Sequence, residues 1–153
     1  MTIQEIAAKH GGDESDWIQR WGAWVHITAK IGDSAEIGIG AVIGEGAKVC
    51  RGAVIGSGAE IGEGAKVSRG ATIGFLVKIG EGAKVSRGAT IGDLVKIGAG
   101  AKICAYADVG ACAKIGPGAR IMDYTKIGCC ATIGPGSTIE LGTRVSHGAV
   151  VED

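Results

Sequence analysis

From Ile31 to Val151 every sixth residue is Ile or Val, running through Ile37, Ile43, Val49, Ile55, Ile61 and Val67 to Ile139 and Val145 with no insertion. Four places after each stands a smaller residue: Ala in most hexads, Val at 77 and 95, Thr at 125 and 143, Ser at 137. A period of six matches neither the 3.6 of a helix nor the 2 of a long strand, but it suits short strands joined by identical turns. The small residue and the next aliphatic are two apart, so both point into a core while their neighbours point out. All but three of the 29 glycines, Gly11, Gly12 and Gly22, fall one or three places after the aliphatic residue. Glycine one place after it is expected to supply the positive φ of a tight corner, its missing Cβ keeping the corner compact.

A longer repeat sets the number of hexads per coil. Residues 61–78 and 79–96 differ only at Phe75 and Asp93, so the unit is eighteen residues, three hexads with three distinct sides. Such near-identity fits a recent duplication and a designed or consensus-built rod alike. Nearly seven coils at the strand spacing of a sheet make a rod of about 30 Å. The pattern of an aliphatic residue, then Gly, Ala, Glu or Asp, two free positions, a small residue and one more free position resembles the hexapeptide-repeat family over about four fifths of the chain. That resemblance implies an all-β fold, a single left-handed parallel β-helix of three hexads per coil, and commonly a parallel homotrimer. Handedness comes from the resemblance, not from the period.

The chain divides into a helical cap at 1–24 and the β-helix at 25–153. In the cap, Thr2 and Glu5 have the spacing of a capping box, Ile3, Ile6 and Ala7 share a helix face, and Gly11 and Gly12 end that helix. A second short helix from about Ser15 would gather Trp17, Ile18 and Trp21, with Trp24 joining the first coil. These residues are expected to form a lid over one open end of the prism, where strand edges and core would otherwise be exposed. The other end has no such lid, Glu152 and Asp153 adding only charge, and is a candidate contact for another copy or a protein partner.

Composition narrows the function classes. Lys plus Arg equals Asp plus Glu, so nothing global draws the chain to nucleic acid or an anionic membrane. Met1 to Asp16 mixes charges and lacks the basic start and apolar run of a secretory leader, and no stretch is long and apolar enough to span a bilayer. A cytoplasmic address is the resulting expectation, with Cys50, Cys104, Cys112, Cys129 and Cys130 as free thiols.

Each side of the prism reads as a ladder. One presents Lys48, Lys66, Lys84, Lys102 and Arg120 outward, with Glu45, Glu63 and Glu81 at the preceding corner. Like charges about 5 Å apart in water repel by about 1 kcal/mol, which the glutamates partly offset. A solvated face that discourages lateral aggregation is the first reading, and a polyanion site the weaker one. A second side is read as carrying Thr72, Thr90, Tyr106 and Tyr124, with Arg51, Arg69 and Arg87 at its corner. The third stacks Leu76, Leu94, Cys112 and Cys130 in an outward column beside Phe75 and Cys129. An apolar stripe of this kind points to a subunit interface, to which the stacked Tyr106 and Tyr124 could belong. Cys112 and Cys130, one coil apart, are close enough for a disulfide, although soft interface filling is favoured in a reducing compartment.

Many hexapeptide-repeat relatives transfer acyl groups from acyl-coenzyme A or acyl carrier protein, using a histidine base between subunits near a loop expelled from the coils. Here the hexads run uninterrupted, and His10, His26 and His147 are too far apart in sequence to cluster within one subunit. The three histidine ligands of the carbonic anhydrase branch are not supplied, and no cysteine spacing suits zinc. His147, with Tyr124 or Cys130 of a neighbouring copy, is the one weak catalytic candidate. The reading that follows is a non-catalytic scaffold or macromolecule-binding module without cofactor or metal. The alternative is a homotrimeric acyltransferase using acyl-CoA at an intersubunit site.

Overall fold

The computed structural model describes residues 1–152; Asp153, assigned with Glu152 to the charged C-terminal end, lies outside them. The coils are built from two-residue strands, Lys30–Ile31 through Val150–Val151, each followed by a turn. They stack as a three-sided parallel solenoid. Face A is the nine-stranded sheet that includes Lys78–Ile79 and Lys96–Ile97. Face B is the seven-stranded sheet of Lys84–Val85 and its neighbours, and face C that of Thr90–Ile91. The chain passes A, B, C in turn, so the corners are AB, BC and CA.

Register follows the eighteen-residue unit. Ile79 pairs with Ile61 and Ile97, and Val85 with Val67 and Ile103. Inside, the aliphatic and small residues form one continuous buried core from Ala23 to Val145. Identical residues stacking at the strand spacing bury apolar surface with little shape mismatch. Backbone bonds tie successive coils at three points per hexad: Lys84 N–H donates to Ala101 O at 2.9 Å, Gly80 N–H to Ile97 O at 2.8 Å, and Gly82 N–H to Glu63 O at 2.8 Å.

The turns correct one expectation. Positive φ lies three places after the aliphatic residue, as at Gly82 and Gly118, and not one place after it. With φ positive only at the second central residue, these are type II turns, which favour Pro then Gly, as at Pro117–Gly118 and Pro135–Gly136. The glycine one place after the aliphatic residue serves close approach. A Cβ on Gly80 would lie 2.5 Å from Ala99 N and 2.7 Å from Gly98 C in the next coil.

The N-terminal segment also departs from its reading. Helix α1 (Ile3–His10) forms as expected, its capping box closed by Glu5 N–H to Thr2 Oγ1 at 3.2 Å and Thr2 N–H to Glu5 Oε2 at 2.8 Å. No second α-helix follows. A single 3-10 turn at Glu14–Asp16 leads into strand β1 (Trp17–Arg20), which pairs antiparallel with β2 (Ala23–His26) at the edge of face A. Trp21 and Gly22 both have positive φ, the two-residue hairpin signature. Nor is the segment a lid over the prism's end. Ile6 and Trp17 pack on Val42, with Ile3, Ala7 and Trp24 around them, so α1 lies along the outer side of face A. Ile18 and Trp21 are exposed, the latter stacked by the Arg20 guanidinium at 4.1 Å from its ring.

Candidate functional site

Corner CA carries the expected stripe, by a route that periodicity alone did not show. Leu76, Leu94, Cys112 and Cys130 occupy successive left-handed turn positions, with φ between 55° and 62°. They are therefore corner residues, not strand residues, and all four are exposed. Each costs about 1–2 kcal/mol relative to an unstrained conformation, since Cβ crowds the following carbonyl. The adjoining column holds Ile39, Phe75 and Cys129, also exposed, and ends at His147. Asp93, in that column, is fixed by accepting from Phe75 N–H at 3.0 Å. All five cysteines are free. Partial desolvation and the hydrogen-bonded neighbour Cys112 push the Cys130 thiol up, which keeps it protonated and a poor nucleophile.

Tyr106 and Tyr124 are not on the strand face of Thr72 and Thr90. That outward ladder continues through Asp108, Lys126 and Arg144. The tyrosines occupy left-handed turn positions at corner BC, above Arg51, Arg69 and Arg87, and their rings stack at 5.5 Å and 12°. They are thus on a different corner from the Leu76 stripe. Lys48, Lys66, Lys84, Lys102 and Arg120 do form one outward ladder on face B, extended by Lys30. A second ladder on face A, Lys78, Lys96 and Lys114, was open to the same eighteen-residue arithmetic and was missed.

The three histidines stay apart. His26 is buried and structural: its edge meets Trp17 at 5.0 Å, and its Nδ1 lies 2.7 Å from Thr28 Oγ1. His10 sits where α1 ends over face A. There Lys9 Nζ donates to Glu60 Oε1 at 2.9 Å. Burial holds the His10 imidazole below its usual range despite Glu60, with Lys9 and Lys78 adding to the effect. Burial raises the Glu60 carboxyl, but Lys9, His10 and Lys78 outweigh it, and the group titrates below its usual range. From this junction an open groove of about 530 Å³ runs along face A past Lys78, Lys96 and Lys114.

His147 is exposed at corner CA and borders a groove of about 440 Å³ with Asp108, Lys126, Cys129, Arg144 and Ser146. Neither Tyr124 nor Cys130 borders this groove. Among the described residues no group of three or more His, Cys, Asp or Glu side chains is placed to hold a metal ion. Likewise, no helix among them is long and apolar enough to cross a membrane.

The family model described as bacterial transferase hexapeptide (six repeats) matches residues 28–63 and 40–75, and the same hexads continue to Val151. The chain is built of hexapeptide repeats similar to those of this family. A comparison with curated protein sequences finds no match. Among solved structures, this hexapeptide-repeat chain is similar to a Bacillus cereus protein assigned to the acetyltransferases, with TM-score 0.63 and 23% identity over 80% of this chain and 71% of that one. It is similar to the acetyltransferase domain of PglB from Neisseria gonorrhoeae, solved with acetyl coenzyme A, with TM-score 0.59 and 24% identity over 84% of this chain and 53% of that one. A third likeness is perosamine N-acetyltransferase from Caulobacter crescentus, with TM-score 0.54 and 21% identity over 80% of this chain and 50% of that one. The chain spans about half the length of the last two. At such identities the likeness is one of fold, the left-handed parallel β-helix.

Proposed function

We propose that this hexapeptide-repeat chain is a non-catalytic, self-associating scaffold, a homotrimer whose copies meet along corner CA. One observation carries the proposal: four successive strained turn positions hold exposed Leu76, Leu94, Cys112 and Cys130. At corner AB the same position is glycine in every coil from Gly46 to Gly136. Corner BC holds non-glycine residues there at Ser34, Tyr106 and Tyr124, but only corner CA keeps the strain through four consecutive coils in apolar and soft side chains facing water, which supports a contact surface there. Two-residue strands repeating without an inserted loop leave little material for an enclosed active site. Light scattering on the native chain, with and without reductant, tests the proposal. A trimer is expected in both conditions, and Leu76→Lys with Leu94→Lys should shift it to monomer. A native chain that is monomeric at high concentration overturns the reading.

The second reading is acyl transfer from acyl-CoA between copies, favoured by the groove where His147 meets Lys126, Arg144 and Cys129. In it His147 would serve as base and the two cations would face the coenzyme's phosphates. Calorimetric titration with coenzyme A separates the readings. Saturable binding abolished by Arg144→Glu supports the enzyme, whereas no heat at millimolar ligand supports the scaffold.

A further inference from the structure

The zero net charge conceals a strong segregation. Between Lys48 and Arg120 the sequence holds eleven Lys and Arg against five Asp and Glu, and the remaining acids lie in the two end segments. On face B the structure aligns Lys30, Lys48, Lys66, Lys84, Lys102 and Arg120 in one column, one per strand, all exposed. Arg51, Arg69 and Arg87 form a parallel column along the adjoining corner BC and are also exposed. Among the described residues the one ion pair is Lys9 with Glu60, so no cation of either column is paired.

We propose that face B binds a linear polyuronate, an acidic glycan carrying one carboxylate on every sugar. The ladder repeats its charge at the strand spacing of about 4.8 Å. An extended uronate chain alternates its carboxylates between two sides, so every second one faces the ladder, and its two-sugar repeat is close to the rise of two coils. The outward column contains no bulky apolar residue that could insert into a lipid surface. A nucleic-acid duplex, with its far denser charge on a curved cylinder, would touch this flat face along only a line. The exposed Tyr106–Tyr124 stack at the same corner turns ring edges and hydroxyls outward, polar groups that can hydrogen-bond sugar hydroxyls. Corner CA is the edge of the prism opposite face B, so the surface stays outward in the proposed assembly, and binding does not depend on that assembly forming.

The test uses the full chain and a fluorescently labelled decamer of galacturonic acid, followed by anisotropy at low and rising salt. Controls are an uncharged galactose oligomer of equal length and single-stranded DNA. Saturable binding that weakens as salt rises is expected, with no binding of the uncharged oligomer and weaker binding of DNA. Lys84→Glu with Lys102→Glu should weaken uronate binding more than about tenfold, from two reversed contacts. The same change at Lys96 and Lys114 on face A should weaken it less than about twofold. Circular dichroism confirms that the variants fold, and light scattering follows assembly separately. Equal binding of the uncharged oligomer, tighter binding of DNA, equal loss on the two faces or no binding at all each overturns the assignment.

Discussion

Residues 1–28 and the coils beyond them are held together by different means. Most of the side-chain hydrogen bonds among the described residues involve the first region: Thr2 with Glu5, Lys9 with Glu60, Trp17 Nε1–H to Gly11 O at 3.0 Å, and Thr28 accepting from Gly46 N–H at 2.8 Å. The coils rest instead on backbone bonds repeated between turns and on stacked Ile, Val and Ala. In the first region each contact has its own chemistry, part of it titratable. In the second a single backbone rule, applied at every corner, does the work. A substitution should therefore be costly in the coils when it breaks the rule, and modest in the first region when it removes one contact.

The largest effect is expected at a glycine whose missing Cβ lets two coils approach. Gly80→Ala places a methyl against Ala99 N and Gly98 C, rigid backbone that can yield only if the coils separate. We expect a loss of about 3 kcal/mol, measured by denaturant unfolding and unchanged between pH 6 and 8. Gly82→Ala, two residues on, has open space around its Cβ but sits at φ +67°. It should cost about 1–2 kcal/mol, through backbone strain alone. If the two variants lose the same amount, the distinction between close-approach and left-handed glycines is wrong.

An exchange between corners gives a smaller effect and two signs. Leu94→Gly at corner CA relieves about 1–2 kcal/mol of strain but adds about 1 kcal/mol of unfolded-state entropy. A net gain near 0.5 kcal/mol is expected for the isolated chain, alongside weaker self-association in sedimentation. Gly100→Leu at corner AB should do the reverse, losing stability and creating a new apolar corner. A Leu94→Gly chain that is both less stable and fully associated would show that Leu94 is held by packing within its own copy.

The same contrast explains what could be read from the sequence. The coils were legible because an unbroken six-residue period and an eighteen-residue superrepeat constrain each other, so core, faces and register followed by counting. The left-handed position was legible too, in Pro117–Gly118 and Pro135–Gly136, but glycine at both turn positions masked which one carried positive φ. Tyr106 needs that count carried through: eighteen residues before it stands Gly88 at a turn position, not Thr90 on a strand, so its surface was open to the same arithmetic. The first region defied counting because it has no repeat. Trp17 and Trp21 suit a helix face by spacing, yet Trp21–Gly22 makes a hairpin turn, and the unpaired edge of face A provides the partner that favours strand. The His147 groove needed three ladders followed at once, since Lys126 and Arg144 approach it from face C.

The smallest effect belongs to the docking of α1, and it should depend on pH. His10 titrates lower when docked than its usual 6.5, so the docked state favours the neutral ring. Its contribution is full above about pH 6.5, where both docked and free imidazole are neutral, and is lost as pH falls toward the lower docked value. Glu60, also lowered in the docked state, contributes fully above its usual 4.5 and loses that contribution as pH falls through its lower docked value. Both groups therefore weaken docking on acidification, in two successive windows. Trp17 reports the change because its ring lies 6.1 Å from His10 and its indole N–H bonds to Gly11 at the end of α1. Tryptophan fluorescence should shift toward solvent exposure between pH 7 and 5 while the strand signal in circular dichroism holds. His10→Gln should remove the first window, and Lys9→Met should weaken docking by less than about 1 kcal/mol, as for a partly exposed ion pair. If fluorescence and strand signal instead fall together, α1 and the coils melt as one unit, and the separation between the two regions does not hold.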